Sequence, residues 1–271
     1  MTIHADDLAG RPIVVSGAGS GIGAALAYRA AVEHRMTAVV ADVDAARAEQ
    51  VAAAITGAGG KAQALAVDVS DPASVDALRA RALDAYGAPA LLVCNAGVEM
   101  TGAVWEIEPR DWQRVQAINV NGAFLMARAF LPAMLQTEQP GHVLCTSSIG
   151  GISIGAGQSA YLVSKHAIRV FAQTLAADLE AADARIGVSI LLPGAVRTRI
   201  FDDAASTGSA GAEEMRSALA SHLANDGITP EQVAEIAFAG VLEGRRWIHT
   251  HPEMSEQVLS EHLADLTAGV R

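Results

Sequence analysis

Three polar side chains in the middle of the chain have types and spacings that suit proton transfer. Tyr161 and Lys165 stand four residues apart in a predicted helix, so they share one face. Tyrosine, with a pKa of about 10, is a poor base at neutral pH, but a neighbouring ammonium favours the phenolate and lowers that pKa. Ser148, thirteen residues before Tyr161, follows a predicted strand and could hold a carbonyl or alcohol oxygen opposite the phenol. Taken alone, the tyrosine and lysine are also compatible with an ordinary surface pair on a helix.

A glycine-rich turn near the N-terminus suits the binding of phosphate groups. The segment SGAGSGIG at 16–23 follows a short apolar run and leads directly into an alanine-rich helix. Gly17, Gly21 and Gly23 allow a tight turn and a close approach to a pyrophosphate, and the helix N-terminus offers unpaired N–H groups. A glycine-rich string alone predicts only a flexible turn. Its place between the first strand and the first helix predicts a dinucleotide site.

The elements that must position these residues alternate between strand and helix. Six apolar runs are typical of strands covered on both faces, at 12–16, 37–42, 64–68, 90–95, 142–148 and 187–193. Helical patterns lie between them, at 21–34, 44–56, 72–86, 109–137 and 158–181. The alternation predicts βαβ units and therefore a doubly wound α/β fold, with one parallel sheet and helices on both faces. No repeat, low-complexity block or linker divides 1–271, so we expect a single domain.

The helix starts and the C-terminal part of the chain give further expectations. Asp71-Pro72 and Glu108-Pro109 each place proline at the first helical position, and Thr229 with Gln232 fits a capping box. Small and polar residues dominate 199–227, which we interpret as a loop or a mobile helical flap that acts as a substrate lid. A last short strand at 246–249 and a final helix at 253–267 complete the predicted fold.

Composition and charge exclude several classes of function. Nineteen Lys+Arg against thirty Asp+Glu give a formal charge of −11 without a basic cluster, so we expect no nucleic-acid partner. The acidic N-terminus argues against a signal peptide, and no uninterrupted apolar stretch approaches the ~20 residues that cross a bilayer. Two cysteines form neither a disulfide framework nor a metal site, so we expect a cytoplasmic protein without a membrane partner. His249 and His251 near Glu253 could suggest a metal, but surface or capping roles are favoured, and no metal is expected.

The order of these motifs over about residues 11–200 resembles the short-chain dehydrogenase/reductase family, in its shorter branch. The spacing of Gly17, Gly21 and Gly23 follows that family's G-x-x-x-G-x-G motif, and Ser16 stands where the family usually has threonine. The resemblance implies a Rossmann-type sheet of about seven strands. It also implies a catalytic tetrad formed by Asn119, Ser148, Tyr161 and Lys165.

Within that tetrad the resemblance assigns separate roles. The family's serine-to-tyrosine spacing selects Ser148 rather than the adjacent Ser147, and neighbouring strand residues point to opposite faces. Asn119 in the long helix would distort that helix and order a water that relays protons through the lysine. Lys165 would also hold the nicotinamide ribose, and an oxidised nicotinamide would help to lower the tyrosine pKa.

Cofactor choice depends on the residue that ends the second predicted strand. Asp42, nineteen residues past Gly23, can accept hydrogen bonds from both adenosine ribose hydroxyls and would repel a 2′-phosphate. The alternative is a solvated turn aspartate. The sequence therefore favours NAD over NADP. By resemblance, the cofactor-binding residues are Ser16, Gly17, Gly21, Ile22, Gly23, Asp42, Asp68, Val69, Asn95, Ala96, Gly97, Tyr161, Lys165, Pro193, Gly194, Val196 and Thr198.

Some of these assignments have a second interpretation, and the substrate is defined only coarsely. Asp68, with Val69 at the end of the third predicted strand, could equally cap a turn before Asp71. We expect Ser148, Tyr161 and Gln158 to contact the substrate, with Gln158 as the one polar anchor in an apolar pocket. The other expected pocket positions are residues of 199–227 and four apolar side chains, Val98, Met100, Ile149 and Ile152.

These residues together predict an NAD-dependent enzyme that interconverts a mainly apolar secondary alcohol and its ketone, with Tyr161 as the acid–base group. Two alternatives stay open: an extended-branch epimerase or dehydratase, and a dinucleotide-binding sensor without catalysis. Helices 109–137 and 158–181 carry apolar residues beyond one stripe, which predicts a homodimer or homotetramer. The residues behind that prediction are Phe124, Phe130, Ile168 and Phe171.

Overall fold

The computed structural model describes residues 3–270, and its strands follow the predicted alternation closely. In chain order the strands are β1 Pro12–Ser16, β2 Thr37–Asp42, β3 Lys61–Ala66, β4 Leu91–Cys94, β5 Met100–Thr101, β6 Gly141–Thr146, β7 Ile186–Leu192, β8 Ala205–Ser206 and β9 Trp247–His249. The α-helices are α1 Ala5–Leu8, α2 Gly21–Val32, α3 Ala45–Gly57, α4 Pro72–Tyr86, α5 Pro109–Gln116, α6 Gly122–Gln136, α7 Ser159–Ala181, α8 Ala210–Asp226, α9 Pro230–Leu242 and α10 Pro252–Thr267.

Seven strands form one parallel sheet in the order β3-β2-β1-β4-β6-β7-β9. The chain winds outward in one direction from β1 to β3 and then in the other direction from β4 to β9. The carboxyl ends of β1 and β4 therefore lie at the switch point, where doubly wound sheets bind their ligands. This is the single Rossmann-type α/β sheet that the sequence predicts.

The strands are apolar at consecutive positions because both faces of the sheet are covered. In β1, Val14 belongs to one buried cluster, while Ile13 and Val15 belong to the cluster on the opposite face. Neighbouring strand residues point to opposite faces, so a strand between two helical layers needs an apolar side chain at each position. The two clusters hold the switch point in the middle of the fold.

Helix starts follow the predicted capping residues. Asp71 accepts a hydrogen bond from the Ala73 amide at 3.0 Å, with Pro72 at the first position of α4. Thr229 and Gln232 form the reciprocal capping box that opens α9. Glu108 precedes Pro109 at the start of α5, but its side chain makes no capping bond.

The predicted helix 109–137 is continuous in position but not in hydrogen bonding. Between α5 and α6 the residues Ala117–Asn121 form a π-helical turn, which shifts the register of the backbone bonds. By length and composition Pro109–Gln136 is the one helix among residues 3–270 that could span a membrane, and half of its most apolar window is buried in the protein. Such partial burial is also found in core helices of globular folds.

Two boundaries differ from the predictions. The third strand begins and ends earlier than predicted, at Lys61–Ala66, so Asp68 and Val69 lie in the turn beyond it. The second is the loop or helical flap expected over 199–227, in which Ala210–Asp226 is helical, as α8. Within it β8 pairs with β5, which joins the segment to the chain just after β4.

The outer faces of α6 and α7 carry fewer of the expected apolar residues. Phe130 and Ile168 are buried in this chain's own core, and only Phe124, half-exposed, presents a large apolar side chain as predicted. The other exposed apolar groups of these helices are Val163, Val170 and Leu135. The apolar surface that could pair with a second copy therefore lies on the two predicted helices, with Phe124 as the one expected residue exposed on it.

Candidate active site

The glycine-rich turn packs tightly against the end of β4. Gly17 has φ of +65°, and a Cβ built on it would lie 2.7 Å from the Ala96 Cα. A Cβ on Gly23 would lie 2.2 Å from the Gly17 carbonyl oxygen. Any side chain at either position would force the turn apart, so both glycines are required for this close approach.

The first turn of α2 presents backbone donors at the switch point. Ser20 occupies the N-cap position, but its side chain makes no capping hydrogen bond. The amides at the start of a helix have no partner within the helix, and here no cap side chain satisfies them. Gly21, Ile22 and Gly23 therefore supply N–H groups and a positive dipole end that suit a pyrophosphate.

Asn95 fixes the position of the turn from the neighbouring strand. Its side-chain nitrogen Nδ2 donates to the carbonyl oxygens of Ser16 at 3.1 Å and Gly17 at 3.2 Å. The Ser16 hydroxyl in turn accepts hydrogen bonds from the backbone amides of Asn95 at 3.0 Å and Ala96 at 3.2 Å. The side chains of Ser16 and Asn95 are occupied in holding the turn. Contact with a cofactor would therefore come mainly from the backbone of the turn at 16–23 and of the segment 95–97.

Asp42 lies at the end of β2, beside the glycine-rich turn. Its two carboxylate oxygens accept hydrogen bonds from the Gly19 amide at 2.8 Å and from the Asp44 amide at 2.9 Å. Each carboxylate oxygen keeps a further lone pair, so the group can still accept from a ribose diol. Arg47, on the first turn of α3, is paired with Asp44 at 3.1 Å and Asp203 at 3.4 Å.

Asp68 and Val69, in the turn after β3, have different surroundings. Asp68 accepts hydrogen bonds from the amide and the hydroxyl of Ser70, at 2.9 Å and 2.6 Å, which is the turn-capping interpretation. The Val69 side chain is buried in the core and lies against Gly122. Contact with an adenine ring could therefore involve the Asp68 carboxylate or the local backbone, but not the Val69 side chain.

The segment after β7 reaches back to the glycine-rich turn. A Cβ on Gly21 would lie 3.2 Å from the Thr198 Cγ2, so these two residues face each other across the switch point. The Pro193 carbonyl oxygen accepts from the Ile149 amide at 2.8 Å, and Gly194 donates to the Thr250 hydroxyl at 3.0 Å. Val196 is buried and bridges to Ile228. These contacts fix the segment that would meet a nicotinamide.

Tyr161, Ser148 and Lys165 meet at the carboxyl end of β6. A Cβ on Gly150 would lie 3.3 Å from the Tyr161 ring and 3.5 Å from the Ser148 hydroxyl, so both groups border one point. The Lys165 ammonium lies 5.5 Å from the centre of the Tyr161 ring and donates to the Thr146 carbonyl oxygen at 3.1 Å. An ammonium has three N–H donors, so Lys165 keeps two of them for other groups.

Ser147 and Ser148 face different surroundings. The Ser147 hydroxyl donates to the Lys165 carbonyl oxygen at 2.8 Å and is buried against α7. The Ser148 hydroxyl accepts from the Gly150 amide at 3.0 Å and faces the Tyr161 phenol. Ser148 is therefore the serine that could contact a substrate oxygen, as the family spacing implies.

Asn119 sits inside the π-helical turn and is almost completely buried. Its side-chain nitrogen donates to the Val98 carbonyl oxygen at 2.9 Å and to the Ser164 hydroxyl at 2.8 Å, and its oxygen accepts from the Val98 amide at 2.8 Å. Both amide hydrogens are used, so the side chain has no donor left for a relaying water. The distortion of the helix is present, and the side chain's observed task is to join α7 to the segment after β4.

Burial has the largest effect on the pKa values of Tyr161 and Lys165. Burial raises the pKa of Tyr161 well above its ordinary value, the nearby Glu99 charge raises it further, and the Ser148 hydroxyl lowers it. Burial lowers the pKa of Lys165 to about 8, while Glu99 raises it. The lowering of the tyrosine pKa by the Lys165 ammonium stays a prediction, and burial and the Glu99 charge both act against it.

Glu99 is the residue at this site that the sequence reasoning missed. It is 1% exposed, and burial raises the pKa of its carboxyl to about 8. One carboxyl oxygen accepts from the Met100 amide at 3.0 Å and the other from the Gln158 side-chain nitrogen at 3.3 Å. The one available signal is a charged residue enclosed between apolar Val98 and Met100 directly after Asn-Ala-Gly.

The pocket side chains differ in part from the prediction. Gln158, expected as a free polar anchor, is already bonded to Glu99. Met100 is buried in a small cluster with Val115 and Ala160, and Ile152 belongs to the main core, so neither faces an open pocket in this conformation. Val98 and Ile149 remain partly buried.

Comparisons with known proteins were made for the whole chain. The family model described as short chain dehydrogenase matches residues 11–209. The chain is 36% identical over 210 residues to the 1-deoxy-11-beta-hydroxypentalenate dehydrogenase of Streptomyces exfoliatus, covering 77% of this chain and 75% of that protein.

Solved structures agree with the fold. A short chain dehydrogenase/reductase from Burkholderia phymatum, solved in complex with NAD, has a TM-score of 0.91 and 31% identity and covers 96% of this chain and 95% of its own. A metagenomic short-chain oxidoreductase in complex with NADP has a TM-score of 0.71 and 27% identity, with coverage of 90% and 96%.

Proposed function

The chain belongs to the short-chain dehydrogenase family, and from that premise we propose that it is an NAD-dependent oxidoreductase that interconverts a secondary alcohol and its ketone. The observation that carries this proposal is the meeting of Ser148, Tyr161 and Lys165 at the switch point of the sheet. A phenol, a hydroxyl and an ammonium in one place can exchange a proton with a substrate oxygen and stabilise its charge.

The residues that would hold the cofactor fit a dinucleotide. The uncapped first turn of α2 would take the pyrophosphate, and Lys165 has donors to spare for a ribose. Val196 and Thr198 would face the carboxamide, since Thr198 lies against Gly21. When bound, the nicotinamide accepts hydride from the alcohol carbon or returns it to the ketone.

We propose NAD rather than NADP because of Asp42. Its carboxylate lies at the end of β2, where it could accept from both ribose hydroxyls and would repel a phosphate on either of them. Arg47, the nearest cation of α3, is engaged by Asp44 and Asp203. The two solved relatives contain NAD in one case and NADP in the other, so the choice depends on this chain's own residues.

The chain's own residues would move the proton in a defined order. In oxidation the Tyr161 phenolate takes the proton of the substrate hydroxyl while Ser148 donates a hydrogen bond to the substrate oxygen. In reduction the Tyr161 phenol returns that proton to the oxygen of the ketone. Because burial and Glu99 both raise the tyrosine pKa, the phenolate needs additional positive charge, which an oxidised nicotinamide would bring.

The substrate we propose is an uncharged, mainly apolar secondary alcohol, and cyclic alcohols are the first choice. The apolar side chains that could line the pocket are Val98 and Ile149, with Phe201 and Ile200 on the segment that follows Thr198. The Streptomyces exfoliatus relative is a dehydrogenase of a hydroxylated compound, which favours the same reaction class.

Two further proposals concern the state of the protein. Exposed Phe124, Val163 and Val170 on α6 and α7 support a homodimer or homotetramer. Cys94 and Cys145 are both buried free thiols, which supports the cytoplasm as its location.

A screen tests the proposed reaction. Purified protein is mixed with NAD and a panel of secondary alcohols, and NADH absorbance is followed. Turnover of at least one cyclic secondary alcohol, abolished in Lys165→Met, supports the proposal. Cofactor binding without turnover across the panel would favour the non-catalytic sensor, and conversion of a sugar nucleotide without net NADH would favour the epimerase or dehydratase.

A further inference from the structure

Glu99 is a buried carboxyl that the proposed reaction leaves without a task. It lies directly after Val98, whose backbone Asn119 holds, and directly before β5. Its backbone carbonyl oxygen accepts from the Ala205 amide at 3.2 Å, so the chain pairs with β8 at this residue. A carboxyl buried to 1% exposure is costly unless it is protonated or well paired.

The partners of Glu99 connect it to the start of the catalytic helix. The Gln158 side chain donates to it, and Gln158 is the N-cap residue of α7, three positions before Tyr161. The groups that act on its charge are Lys165, which lowers the pKa of Glu99, and Tyr161, whose own pKa Glu99 raises. Its other polar neighbours, the Met100 amide and the Gln158 amide, are neutral.

We propose that Glu99 is a positioning residue for the reaction, because its carboxyl holds Gln158 at the start of α7 and its charge acts on the Tyr161–Lys165 pair during proton transfer. The inference rests on the proposed function and extends it from three interacting groups to four. In the neutral form Glu99 leaves the ammonium of Lys165 to stabilise the phenolate. In the ionised form its charge opposes that stabilisation.

The direction of the pH dependence follows from these charges. The pKa of Glu99 is about 8, so it ionises over the range in which a dehydrogenase is assayed. Its negative charge disfavours the Tyr161 phenolate and favours the Lys165 ammonium, so both pKa values are higher with Glu99 ionised. Removing that charge must therefore lower both values together above the pKa of Glu99, where the wild-type carboxyl is ionised, and the rate profile for oxidation should move toward acid pH in that range.

Glu99→Gln is the direct test, because the amide keeps the shape and the hydrogen-bonding reach of the carboxyl. Wild-type Glu99 is ionised above about pH 8, so in that range kcat/KM for alcohol oxidation should be up to about ten-fold higher in Glu99→Gln, the size expected for loss of one nearby charge, and the two profiles should converge at lower pH. Glu99→Asp, which retains the charge, should return the profile toward that of the wild type. Thr101→Val is the matched control. It removes the buried hydrogen bond that Thr101, on β5, donates to the Ala212 carbonyl oxygen, on α8, and it changes no charge.

A second measurement separates this inference from the reaction itself. In protein labelled at the tyrosine ring carbon that bears oxygen, NMR titration with NAD present follows three tyrosines, and Tyr161→Phe identifies the relevant signal. The Tyr161 titration should shift to lower pH in Glu99→Gln, whether or not an alcohol is turned over. If that variant does not fold, the wild-type Tyr161 signal should show a second inflection where Glu99 titrates. Superimposable profiles in wild type and Glu99→Gln, or a single-step wild-type titration, would overturn the proposal. Absence of turnover with a shifted Tyr161 titration would contradict only the proposed function.

Discussion

Asp42→Ala is the perturbation that examines cofactor recognition most closely. The carboxylate already accepts from the Gly19 and Asp44 amides at 2.8 Å and 2.9 Å, which fixes its orientation toward the adenosine end of the site. A hydrogen bond to a charged group contributes about 1.5–3 kcal/mol, and partial solvent exposure favours the lower part of that range. Loss of the bonds to the ribose should therefore raise the KM for NAD by about 10-fold to 100-fold.

The same substitution should change the KM for NADP in the opposite direction. Two like charges about 4 Å apart repel by about 4 kcal/mol at an effective dielectric constant near 20, less where water screens them. Removal of the carboxylate should therefore improve kcat/KM for NADP. The preference for NAD, measured as the ratio of the two kcat/KM values, should fall by at least about 100-fold.

Two variants keep this prediction specific. Asp42→Asn retains an acceptor for the Gly19 amide but removes the charge, so it separates repulsion from loop geometry. Asp71→Ala removes the matching cap of α4, costs about 1 kcal/mol of stability and should leave cofactor preference unchanged. Equal wild-type kcat/KM values for NAD and NADP, or an unchanged ratio in Asp42→Ala, would refute the reasoning.

Three further predictions concern the lid, the assembly and the core. Limited proteolysis should cut the free protein between 202 and 216, and NAD plus substrate should suppress this cleavage. Equal cleavage under both conditions would make α8 a fixed part of the fold. The packing of Met215, on α8, against Gly157 would favour that second outcome. Sedimentation should give a dimer or tetramer that Phe124→Glu dissociates, and a 27.9 kDa species alone at micromolar concentration would contradict assembly. Phe130→Ala should lower the free energy of unfolding by about 3–5 kcal/mol in urea titrations, because the side chain is fully buried, while exposed Val43→Ala should change it by less than about 0.5 kcal/mol.

The sheet could be predicted from the sequence because burial on both faces leaves a strong local pattern. Strands such as β1 and β7 are apolar at nearly every position, so their limits were found within a residue or two. The edge strand β3 is the exception. Only part of an edge strand is covered, so β3 can contain the polar residues Lys61 and Gln63. The apolar pattern in the sequence therefore begins later than the strand itself.

The remaining features depend on contacts between distant parts of the chain. The bonds of Asn119 reach Val98 and Ser164, and the sequence around 117–121 carries no local sign of a π-helical turn beyond the family resemblance. Helix α8 has little apolar contrast between its faces, so its composition resembled a loop. The Glu99 side chain bonds to Gln158 and its backbone pairs with Ala205, more than a hundred residues later, so no local pattern announces its burial.

The measurement that tests the central claim most directly is hydride transfer in Tyr161→Phe. This change removes one oxygen from a side chain that is 9% exposed and leaves the ring packing intact. NAD binding, followed by quenching of the three tryptophans, should keep the wild-type dissociation constant. Rapid mixing of the NAD-loaded protein with the best alcohol from the screen should then form NADH about 10²-fold to 10⁴-fold more slowly than the wild type. NADH formation at a rate near that of the wild type would remove Tyr161 from the mechanism and contradict the account.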